Sequence, residues 1–164
     1  MVTINNTSKI FLGIIVFCIC SILFVRFEGK EQDEAFKNNY DMFQQANKNI
    51  SNDPNLAIIQ FNELQNLLVD DPYFYKQLGT AYILQGDYLS VIEEYKIALE
   101  KYPPIIMDGH FDLLFGGAAF YTNDYQLAKL FLDQANKVGV PSESSETLNY
   151  LISETNKKVE KANE

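Results

Sequence analysis

The chain has little with which to do chemistry. Its 164 residues include one histidine, His110, one arginine, Arg26, and two cysteines, Cys18 and Cys20. A lone histidine without cysteine ligands forms neither a nucleophilic triad nor a zinc site. Asp108 and Asp112 flank it, but acidic residues at a helix start are what the helix dipole favours. Glu93-Glu94 and Asp70-Asp71 read as solvated faces or caps, and no glycine-rich phosphate loop appears. Both cysteines lie in one apolar run, where they act as apolar filler, so the rest of the chain has neither disulfide nor thiol chemistry. β-branched residues rarely alternate, which argues against a sheet. Basic runs are missing too. The formal net charge is −9, with the acidic surplus beyond the apolar run. That excludes nucleic acid and anionic lipid, both of which require basic patches. The surplus fits solubility first and steering towards a basic partner second. The expectation is no enzyme, no cofactor, no metal and no small-molecule substrate.

The apolar run itself, Ile10 to Val25, carries no charge and is bracketed by Lys9 and Arg26. Sixteen residues of helix rise about 24 Å, and Ser8 and Phe27 with snorkelling flanks extend that towards a hydrocarbon core of about 30 Å. A cleaved signal peptide would need a small-x-small site, and the chain continues Val25-Arg26-Phe27-Glu28 instead. The reading is a single-pass membrane anchor in the cell membrane. The short amino-terminal tail, the cysteine-free remainder and the acidic flank place the following domain on the extracytoplasmic side. Residues 1–30 are then the tail, anchor and start of a charged linker (Phe27 to Asp33), and residues 31–164 form the domain.

That domain reads as helices throughout. Glu34 to about Lys48 offers Ala35, Phe36, Tyr40, Phe43 and Ala46 to an inner face. Asp53-Pro54 and Asp71-Pro72 each look like an N-cap followed by Pro at the first helical position. The helix after Asp53 carries Ala57, Phe61 and Leu64. From Pro72, Tyr75, Leu78, Gly79 and Tyr82 form one stripe; Gly86 and Asp87 make a turn; Tyr88, Val91, Tyr95 and Ala98 form the next stripe, closed by Pro103. Gly79 implies a close helix approach, with Ala98 the matching small residue. Phe115, Gly116, Ala119, Asn123, Asp124, Tyr125, Ala128, Leu132 and Ala135 repeat the pattern after a longer connection, Pro103 to Asp108. Asn123 takes the place of the turn glycine, and Asp112 stands where a large residue is usual. Ser145 to about Ala162 is a last helix with Leu148, Leu151, Ile152 and Val159 inside.

This order of large and small residues resembles the tetratricopeptide repeat family. The resemblance implies an all-α, right-handed helical-repeat array of about three helix pairs, at 34–71, 72–104 and 108–141. A C-terminal capping helix, 145–162, follows, and one transmembrane helix precedes the array. It further implies a concave groove lined by the first helix of each pair: Tyr73, Lys76, Thr80, Ile83 and Leu84, then His110, Leu113, Gly117, Phe120 and Tyr121. A family subtype clamps a peptide's terminal carboxylate with Lys, Asn and Arg; here Lys76 is present, Thr80 stands where Asn is needed, and the domain has no Arg. The function implied is a membrane-tethered protein–protein interaction module or scaffold, with a peptide or helix of a partner in an apolar groove. The alternative is a structural subunit whose groove is filled by its own helices.

Overall fold

The computed structural model describes the backbone of residues 6–162, and the side chains of residues 14–21, 30 and 32–162. Among the described residues there are seven α-helices and no strand. They are α1 (Asn6–Asn52), α2 (Pro54–Leu64), α3 (Pro72–Gln85), α4 (Tyr88–Lys101), α5 (Gly109–Tyr121), α6 (Tyr125–Val138) and α7 (Ser145–Ala162). Short 3-10 turns at Pro103–Met107 and Ser142–Ser144 precede α5 and α7. The chain divides into two compact units, residues 1–42 and 43–164.

In the first unit the backbone stays helical through Phe27 to Asp33, where a linker was expected. No proline precedes Pro54, and Gly29 alone costs a helix only about 1 kcal/mol. Phe36 and Tyr40, expected on an inner face, are exposed at 74% and 55%, and Ala35 is exposed as well. Among the described residues no helix is long and apolar enough to cross a membrane. The anchor expected over Ile10 to Val25 includes residues 10–13 and 22–25, whose side chains lie outside the described ones.

The second unit is built by turn chemistry. Asp53, Asp71, Asp87, Asp108 and Asp124 each cap a helix, their carboxylates accepting backbone N–H groups of the first turn. Such a cap is worth about 1 kcal/mol against alanine. Gly86 ends α3 at φ 82°, and Asn123 adopts φ 63° at the matching turn after α5. Asn is among the few side chains that tolerate this left-handed region.

Each helix packs on its successor: α2 on α3, α3 on α4, α4 on α5, α5 on α6, α6 on α7. α3 also meets α5, and α5 meets α7, so alternate helices line one face. The end of α1 joins at the start of this series. Phe43 meets Phe61 edge to face, Asn49 Nδ2 donates to Gln60 Oε1 at 2.9 Å, and Ala46 and Ile50 are buried. The eleven residues of α2 can oppose only a similar length of α1.

The centre of the core is aromatic. Tyr95 is fully buried on α4, stacked on Phe111 of α5 at 4.6 Å between centroids, with Phe115 edge-on at 5.8 Å. Phe115 in turn stacks on Phe131 of α6 at 4.0 Å. The close approach at Gly79 is made to Tyr95 rather than to Ala98: a Cβ at residue 79 would overlap the Cδ1 and Cε1 atoms of that ring. Gly116 is the analogous position in the next pair, where a Cβ would lie 2.7 Å from Leu132 Cγ. On α7, Leu148, Leu151 and Thr155 are buried, while Ile152 and Val159 are only partly covered.

The Tyr95 ring is held on several sides, so it cannot swing away from a new methyl group. Gly79→Ala therefore destabilises the domain by about 1–3 kcal/mol, although alanine is intrinsically the better helix former. Gly117 is the control: a Cβ there meets Leu151 Cδ1 at 3.6 Å, an ordinary contact. Thermal unfolding followed by circular dichroism should show a clear drop in Tm for Gly79→Ala and none for Gly117→Ala.

Candidate functional site

The face shared by α3, α5 and α7 carries the candidate groove, and two concavities bear on it. The first, about 260 Å³, lies where Ile83 of α3 and Tyr88 of α4 meet His110, Leu113, Leu114, Gly117 and Tyr121 of α5. Thr147 and Leu151 of α7 form its far wall, with Glu143 and Ser144 at the edge. Leu113 is almost fully buried in its floor, whereas His110 and Tyr121 are exposed. Tyr121 stacks on Tyr88 with centroids 4.6 Å apart and planes 20° from parallel. Small residues make the space: Gly117 has no side chain, and Ala118 beside it has one methyl.

The second concavity, about 450 Å³, is lined by Pro72, Tyr73 and Lys76 at the start of α3 and by Tyr102, Ile105, Met107 and Asp108 from the turn before α5. Its floor holds an ion pair between Lys76 Nζ and Asp108 Oδ2. Burial raises the Asp108 pKa, but the hydrogen bond and charge of Lys76, with the N–H groups of Phe111 and His110, outweigh it and hold the carboxyl below its usual range. Lys76 is thereby committed to an internal partner. Thr80 is committed as well. Its Oγ1 donates to the Lys76 carbonyl at 2.9 Å, so the Tyr95 hydroxyl, 3.1 Å away, donates to it. Burial pushes the Tyr95 phenol well above its ordinary value. The two positions closest to a carboxylate clamp are therefore both occupied within the fold.

The ten residues singled out from the sequence thus separate, with Ile83 in the first concavity. His110, Leu113, Gly117 and Tyr121 come together in the first concavity, and Tyr73 and Lys76 in the second. Thr80, Leu84 and Phe120 line neither. Leu84 is 53% exposed, and Phe120 is partly buried, edge-on to the rings of Tyr121 and Tyr125. Tyr88, Leu114, Glu143, Thr147 and Leu151 line the first concavity without having been assigned to it. Leu151 was legible only as an inward residue of the last helix; which inner surface it reached depends on how α7 is aimed.

Behind the groove, α5 buries an acid. Asp112 is fully buried, and neither carboxylate oxygen has a hydrogen-bond partner. By helical spacing it shares a face with Gly109, which abuts Gly139 and Ala135, and with Gly116, which abuts Leu132. Burial, with some repulsion from Asp108, pushes its carboxyl up to about 7. Glu94 on α4 behaves alike: burial, with the neighbouring charge of Glu93, raises it to about 7, and its Oε2 is unpartnered. Neither acid lines either of the two concavities.

Among known proteins, no family model matches the chain and no curated protein is similar to it in sequence. Its fold does have solved counterparts. The crystal structure of the Sgt2 TPR domain from Aspergillus fumigatus superposes with a TM-score of 0.60 at 18% identity, covering 77% of this chain and 82% of that one. The TPR2B domain of yeast Sti1, solved in a complex with pHsp70, superposes with a TM-score of 0.60 at 15% identity, covering 73% and 97%. The fold is all-helical and tetratricopeptide-like.

Asp112 makes stability depend on pH. Its folded pKa, about 7, lies above the ordinary carboxylate value, so between about pH 4 and pH 7 the native state holds a proton that the unfolded chain releases. Its contribution is therefore lost as pH rises through that window. Asp112→Asn removes the buried charge, and relative to the parent it should stabilise the domain at pH 8 by up to roughly 4 kcal/mol and hardly at all at pH 4. Unfolding midpoints at the two pH values measure this. Equal differences at both would mean that the carboxyl is not desolvated.

Proposed function

We propose that the chain is a membrane-tethered protein–protein interaction module whose groove takes an apolar stretch of a partner protein. The observation that carries this reading is the first concavity. It is open at His110 and Tyr121, floored by Leu113 and Leu114, and walled by Ile83 and Leu151. A space of about 260 Å³ with aliphatic walls suits one or two apolar side chains of a docked segment, not a cofactor. Affinity then comes from burying those side chains, at about 25 cal/mol per Å² before ordering costs. The Lys76–Asp108 pair supports the same reading, since it occupies the lysine that lines the second concavity. The counterpart TPR domain of Sti1 was solved in a complex with pHsp70, which is consistent with a protein partner for this fold.

One observation favours a second reading, a structural subunit whose groove is filled from within. Leu151 of α7 already reaches Gly117, so α7 covers part of the face that α5 would offer. The concavity that remains beside α7 supports a partly closed groove with one receptive end.

The tether rests on the sequence: Ile10 to Val25 is uncharged and bracketed by Lys9 and Arg26. We place the domain outside the cytoplasmic membrane on the grounds of the acidic flank and the cysteine-free domain.

Two measurements test these proposals. Tyr121→Ala should abolish or strongly reduce crosslinking from a photoreactive residue at His110 while the domain stays helical. Phe120→Ala, off the concavity, should leave crosslinking intact. Undiminished crosslinking in Tyr121→Ala would move the binding surface elsewhere. The full chain should also stay with membranes after an alkaline carbonate wash, and its release into the soluble fraction would remove the tether.

A further inference from the structure

The first concavity shares Tyr88 and Tyr121 with a neighbouring, shallower one of about 350 Å³ that includes Asp87 and Leu89. Besides the titratable His110, the charged side chains that line the two are both carboxylates. Glu143 stands at the α7 end and Asp87 at the other, with the Tyr88–Tyr121 stack between them. Asp87 accepts the Ser90 N–H and hydroxyl, and Glu143 accepts the Ser142 hydroxyl. Those bonds satisfy lone pairs and cancel no charge. No lysine or arginine lines either concavity, and the four ion pairs among the described residues involve neither acid.

We propose that the segment taken by this groove is a cationic amphipathic one, with an apolar side chain entering between Leu113 and Leu151 and basic residues reaching Glu143 and Asp87. The proposal rests on the binding reading above and specifies the chemistry of the partner. The aliphatic stem of a lysine or arginine can lie on the tyrosine stack while its charged head meets a carboxylate. Acidic segments are excluded by the same field, which is how charge at a groove rim confers specificity.

The test uses the full-length chain in nanodiscs of zwitterionic lipid, with empty discs as the blank. Two fluorescent helical peptides of about 16 residues, or four to five turns, share one Leu/Phe face and carry either Lys or Glu on the polar face. At low salt and pH 8 the Lys peptide should bind about five- to tenfold more tightly, a preference that narrows at high salt. Glu143→Lys, an exposed substitution that leaves the apolar lining intact, should remove most of that preference. Equal binding of the two peptides overturns the cationic assignment and leaves the apolar groove standing. A preference that survives Glu143→Lys unchanged places the selective charge elsewhere and overturns the assigned site. Binding of neither peptide overturns the groove reading itself.

Discussion

The second unit depends on the seat of one ring. Tyr95 belongs to α4, yet three helices determine where it lies. Gly79 of α3 gives up its side chain to admit it, Phe111 and Phe115 of α5 stack on and abut it, and its hydroxyl reaches Thr80. A buried phenol without that bond would leave a polar group unsatisfied at a cost of about 1–3 kcal/mol. The ring therefore fixes the distance between α3 and α4 sterically and the register of α3 through a hydrogen bond. Because α5 is seated on the same ring, the angle between successive pairs is set there too, and with it the width of the trough between Ile83 and Leu113.

The polar groups of α5 divide by face. Asp108 caps the helix and neutralises Lys76, closing the position from which a cation would have faced the groove. One turn later Asp112 points the other way, into the packing with α6, and remains unpartnered. Its burial opposes folding at neutral pH, so the domain keeps less stability than its aromatic core would otherwise supply. Glu94 repeats this on α4. A domain weakened in its third pair depends more on α7, which packs on α6 and walls the groove. The same helix thus serves both the packing and the groove: Leu151 reaches Gly117 and narrows the first concavity.

Much of this was readable from local chemistry. Asp-Pro at 53–54 and 71–72, Gly86-Asp87 and Asn123-Asp124 specify helix ends by capping and by tolerance of positive φ, interactions confined to a few neighbouring residues. The stripes of Leu78, Gly79, Val91, Tyr95 and Ala98 likewise announce buried faces, because helical spacing alone brings them together. Phe36 and Tyr40 show where such reasoning stops. They have the spacing of an inner face and are exposed, since periodicity states that a face exists and not that another helix covers it. The unbroken helical backbone of α1 across the charged stretch after residue 26 was missed for a related reason: charge without periodicity does not by itself end a helix.

By itself, then, the sequence determined the helical class, the turns and the paired stripes, all of which are local or compositional properties. The tertiary structure decided what those stripes touch. That Gly79 receives Tyr95 and not Ala98, that Lys76 is spent on Asp108, and that Phe120 leans on Tyr121 and Tyr125 outside the trough all follow from crossing angles between helices distant in the chain. So does the arrival of Leu151 and Glu143 at a surface otherwise made by α3 and α5. Residue spacing fixes which side chains share a face. The rigid-body placement of one helix against another is set by the summed packing of many side chains, and no single stretch of sequence contains it.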